Sequence, residues 1–143
     1  MGWFRRRPKA EEAHKEQLMI AAGMIKYQTD SFGGSRPLGG VLVQPYALGY
    51  VAGITNTASE TVFENYHLTP AFQTNLAAAY IFTFQDEDEG TAAFESSLAI
   101  TGDPNYQRGF NDGAADFKNY KADARRKPHR LADHIRAFFT GSE

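Results

Sequence analysis

Tyr46-Ala-Leu-Gly-Tyr-Val-Ala-Gly53 and Tyr106-Gln-Arg-Gly-Phe-Asn-Asp-Gly113 are two spellings of one pattern: aromatic, glycine, aromatic, glycine at the same offsets. On a helix, residues four apart share a face, so Gly49 and Gly53 form one strip without Cβ atoms and Gly109 and Gly113 form another. A glycine inside a helix costs about 0.5–1 kcal/mol relative to alanine. Two per helix therefore imply a close backbone approach that recovers the loss. The economical reading is that these two helices cross at their glycines and form the centre of the fold, as an internal pseudo-repeat. The same strip could instead join two subunits, as small-residue helix faces do. In the second copy, Tyr106, Phe110, Gly113, Phe117 and Tyr120 continue the helical period, a seam of rings around a small notch.

Outward from the first motif, no charged residue stands between Arg36 and Glu60, and between Glu64 and Asp86 there is none except His67, which can take a proton. Both stretches are expected to be core helices. Each is interrupted by Pro, Gln, Asn or Thr, so neither is read as a membrane span. Helix signals occur along the whole chain. Residues 8–28 have helix-favouring composition with Leu18, Ala21, Ala22 and Ile25 on one stripe, and the glycines and prolines of 33–40 predict a loop. Pro45, Thr69-Pro70 and Asp103-Pro104 mark helix starts, because proline in the first turn loses no hydrogen bond. Asp86 to Glu89 would lead a helix ending near Gly102, and a final helix is expected over 128–139. The predicted fold is all-α, a single-domain bundle of five or six helices spanning 1–143.

The 143 residues suit one domain. A net charge of -2 gives no general attraction to polyanions, and the absence of cysteine excludes thiol nucleophiles and thiolate metal sites. The N-terminus carries Trp3, Phe4 and Arg5 to Arg7, but the following residues are polar where a secretory signal needs an apolar run. Residues 1–8 are read as a flexible basic tail capable of peripheral contact with an anionic membrane surface. The expected location is cytoplasmic.

No motif for catalysis emerges. Glu11/His14 and Glu64/His67 have the Glu-x-x-His spacing of di-iron bundles but lack the additional carboxylates, and Asp86 to Gly90 fails the spacing of a calcium loop. No metal or cofactor is expected. His129 and Asp133 could pair on the last helix, without a nucleophile beside them. Arg125, Arg126, Lys127, His129 and Arg130 form a candidate anion-binding cluster, with Asp112, Asp116, Asp123 and Asp133 nearby and Arg108 placed to pair with Asp112 one turn on. Nucleic acid is accordingly disfavoured as a partner. Tyr46, Tyr50, Tyr80, Tyr106 and Tyr120 would line a small amphipathic pocket if their hydroxyls converge beside the glycines. The leading functional expectation is a non-enzymatic protein-protein interaction module that binds a protein partner or itself. The alternatives are a small-molecule binder or minor enzyme with a tyrosine-lined pocket, and a peripheral binder of nucleic acid or anionic membrane.

Overall fold

The computed structural model describes residues 2–141, with side chains described over 9–141. These residues form seven α-helices and no strand: α1 (Gly2–Asp30), α2 (Gly39–Leu42), α3 (Pro45–Glu60), α4 (Pro70–Phe84), α5 (Glu87–Ala99), α6 (Pro104–Ala122) and α7 (Arg130–Thr140). The count exceeds the expected five or six because the glycine-rich stretch, read as loop, winds into a 3-10 turn (Arg36–Leu38) and then α2. Its pivots are Gly33 and Gly34, both at positive φ. α1 starts at Gly2, and the side chains that define the basic tail of residues 1–8 lie outside the described residues.

The three expected prolines open α3, α4 and α6. Asp86 accepts a bond from Glu89 N at 2.8 Å, and Asp103 from Asn105 N at 2.7 Å, relieving donors that helical geometry leaves unpaired. Thr69 holds the cap position of α4, but its hydroxyl donates backwards to Tyr66 O at 2.7 Å. α6 stops at Ala122, and α7 begins two residues beyond Pro128.

α3 is the axis of the molecule, with every residue from Tyr46 to Ser59 buried. α1 runs antiparallel to it, so that His14 meets Ser59 and Gln28 meets Tyr50. α6 runs parallel to it, with the two motifs facing each other. A Cβ on Gly49 would stand 2.9 Å from Tyr106 Cα, and one on Gly53 would stand 2.7 Å from Phe110 Cα. Reciprocally, a Cβ on Gly109 would meet Tyr50 N at 2.9 Å, and one on Gly113 would meet Ile54 N at 2.9 Å. Each missing Cβ is replaced by the backbone of the other helix, whose carbonyls point at the glycines in the manner of Cα–H···O contacts. α5 folds back on α4 by a related device: a Cβ on Gly90 would lie 2.6 Å from Ile81 N.

The second uncharged stretch behaves differently. α4 buries Leu76, Tyr80, Thr83 and Phe84, while Ala78 and Phe82 on its other side are exposed. Lack of charge favours enclosure but does not by itself produce it.

Candidate functional site

The exposed side of α4 faces α1 across an apolar groove of about 250 Å³. Leu18, Ala22 and Ile25 of α1, with Ala78 and Ala79 of α4, are among its lining, and Thr55 of α3 lies at its base. Leu18 and Ala22, expected in the core stripe of α1, are half-buried because they look into this groove. Met19 on one rim is 65% exposed and Phe82 on the other 42%. One turn beyond Met19 comes Gly23, where a Cβ would meet nothing within 4 Å, and one turn further is exposed Tyr27. Apart from Lys15, Thr55 and Asn75 the groove is lined by apolar side chains, and none of the described residues covers it.

The five tyrosines do not line one chamber. Tyr50 and Tyr80 are fully buried, Tyr80 donating to Leu48 O at 2.6 Å. Tyr106 is buried, and Tyr120 is half-buried with Lys127 Nζ 5.7 Å from its ring centre. Tyr46 forms a wall of a surface cleft and donates to Asp112 Oδ2 at 2.6 Å. Burial pushes the Tyr46, Tyr50 and Tyr80 hydroxyls well above the usual tyrosine range, with Asp112 adding to the effect at Tyr46 and Asp116 at Tyr50. These groups stay protonated and act as donors.

The expected Arg108–Asp112 pair does not form, because Tyr46 occupies the Asp112 carboxylate and Arg108 instead lies 5.1 Å above the Tyr46 ring. Much of the basic cluster is engaged locally. Arg125 pairs with Asp123 at 3.1 Å and holds that carboxyl below the usual range; His129 pairs with Asp133 at 2.9 Å. Arg130 reaches buried Asp116. Burial alone would lower the Arg130 pKa, but hydrogen bonding and charge from Asp116 outweigh it and raise it.

Gln28 is the residue that sequence reasoning missed, and Asp116, read only as one of the carboxylates near the basic cluster, does more than balance its charge. Asp116 accepts from Tyr50 Oη at 2.8 Å, His129 N at 3.2 Å and Arg130 N at 3.0 Å. Gln28 donates to Tyr50 Oη at 2.9 Å and accepts from Ala132 N at 2.9 Å. Together they cap α7 from α6 and α1, since His129 at the cap position makes no side-chain cap bond. The available signal was a carboxylate beside Phe117 on the aromatic seam.

His14 bonds Ser59 at 2.9 Å and packs edge-on against Phe63 and Tyr66, and burial lowers its pKa. His67 meets Glu60 at 2.9 Å. Among the described residues no group of three or more His, Asp or Glu side chains is arranged to hold a metal ion. No single described helix is long and apolar enough to cross a membrane; Arg36–Leu42 with Pro45–Glu60 reaches that length only as a pair bent by 98°. No known family, curated protein or solved structure matches the chain.

Proposed function

We propose that the protein is a non-enzymatic interaction module that self-associates, with the α1–α4 face as the contact between two copies. The observation that carries this reading is the uncharged α4 leaving Phe82 exposed across an open apolar groove from Met19. A two-fold contact must be self-complementary. This face offers both projecting side chains, Met19 and Phe82, and a receiving floor of alanines at 22, 78 and 79. Gly23, open to solvent between Met19 and Tyr27, adds a second recess. The reading gives a use to a helix-interior glycine that otherwise costs about 1 kcal/mol. The reciprocal glycine contacts of α3 and α6 also support treating those helices as an internal pseudo-repeat, with the self-pairing device used once inside the chain. A cytoplasmic setting goes with this reading.

Sedimentation velocity across a micromolar to millimolar concentration series tests it. The expected result is a monomer-dimer equilibrium that Phe82→Glu and Met19→Glu each shift to monomer without loss of helicity. A wild-type protein that stays monomeric throughout, or a dimer indifferent to both substitutions, overturns it.

A further inference from the structure

Away from the α1–α4 face, a cleft of about 540 Å³ opens beside the first turns of α3 and α6, which begin at the same end of the molecule because they run parallel. Its lining is Gln44, Pro45, Tyr46, Asn105, Arg108 and His134. The volume falls within the range of small-molecule sites. Arg108 is exposed and makes no ion pair among the described residues, because its neighbour one turn on, Asp112, is held by Tyr46. The His134 ring packs against Tyr46 with centres 4.4 Å apart, and His134 Nε2 lies 3.1 Å from Gln44 Oε1. The result is a guanidinium at the edge of a cleft walled by two rings in contact, their planes tilted by 32°, and by Pro45, with the amides of Gln44 and Asn105 alongside.

We infer that this cleft binds a small organic monocarboxylate. Its carboxylate engages Arg108, whose planar fork matches two carboxylate oxygens, and its apolar body lies against Tyr46 and Pro45. Asp112, one turn from Arg108, opposes a second negative charge, which disfavours dianionic phosphate. The positive ends of the α3 and α6 dipoles favour the bound anion modestly. The Tyr46 hydroxyl is already committed to Asp112, so it fixes the ring and leaves ligand recognition to Arg108 and the amides.

The test is a titration of the full-length, 15N-labelled protein with benzoate, neutral benzamide and phosphate, followed by NMR. Expected are saturable shifts at Tyr46, Asn105 and Arg108 with benzoate at millimolar concentrations, and weaker binding of benzamide and phosphate. Arg108→Gln should weaken benzoate about tenfold or more, the loss of one charged hydrogen-bonding partner. Arg108→Lys should fall between the two. Both variants should melt close to the wild type, since Arg108 makes no ion pair among the described residues and its contact with the Tyr46 ring is made from an exposed position. Absence of saturable shifts, equal affinity for benzamide, preference for phosphate, or indifference to Arg108→Gln each overturns the inference.

Discussion

The α3–α6 seam and the α1–α4 face are built from similar material and end in opposite states. Both include a long uncharged helix, and both carry glycine at positions where a helix would favour alanine. At the seam, the backbone of one helix fills the space of every missing Cβ on the other, whereas Gly23 of α1 has open space. α3 is enclosed on every side, while α4 keeps Phe82 and Ala78 in solvent. A glycine strip and an uncharged surface are thus an invitation to pack. Whether the invitation is taken up within the chain depends on what stands opposite.

The sharpest way to break this comparison is the same substitution in both places. Gly49→Leu must push α6 off α3, since the obstruction is backbone, and should cost at least about 3 kcal/mol or prevent folding. Gly23→Leu should not destabilise the monomer and should raise its stability by up to about 1 kcal/mol, since leucine is a good helix former and nothing stands opposite. Urea denaturation of the two variants side by side checks this, and equal losses would end the distinction.

The next effect concerns the polar end of the seam. Asp116→Ala leaves Arg130 and the first turn of α7 without their buried partner, and a loss of about 3–5 kcal/mol is expected. Amide exchange should accelerate first in α7. Uniform acceleration would mean that α7 does not depend on its cap.

Alkaline titration probes closure of the seam without mutation. Unfolded tyrosine ionises near pH ~10, whereas burial holds Tyr46, Tyr50 and Tyr80 above that range in the fold. Above this pH the folded state binds more protons than the unfolded one. The contribution is therefore fully present below about pH 10 and is lost as pH rises further. Phenolate absorbance of these residues should appear together with loss of helical circular dichroism. Ionisation that precedes unfolding would mean the seam admits water.

The smallest effect is the most diagnostic for the open face. Gly23→Ala should stabilise the monomer by up to about 1 kcal/mol, because alanine is the better helix former and its methyl meets nothing. Thermal melts at low protein concentration measure it, and destabilisation there would show that the recess is already filled.

Much of this architecture was legible in short windows of sequence. Pro45, Pro70 and Pro104 mark helix starts, Asp86 and Asp103 supply caps, and the doubled motif identifies the helices whose backbones approach closely. Less legible were the residues whose partners lie far along the chain. Gln28 reads as an ordinary polar position and Asp116 as one of several carboxylates near the basic cluster, yet together they cap the start of a helix that begins at Arg130, 102 residues after the first and 14 after the second. Tyr46 defeated a helix-spacing argument from α3: it captures Asp112 before Arg108 does, although Arg108 is the nearer neighbour in sequence. The open groove was hidden because two uncharged stretches look alike until their surroundings are known.

By itself, the sequence determined that the chain is helical, where most helices begin, and which two faces lack Cβ atoms. These are consequences of proline geometry, caps and periodicity, all acting within about one turn. Only the tertiary structure decided that α3 rather than α4 is enclosed, that α7 is capped from α6 and α1, and that Arg108 stands beside a cleft without an ion pair among the described residues. Burial and polar pairing depend on which surfaces meet, and those meetings join residues that local rules treat as independent.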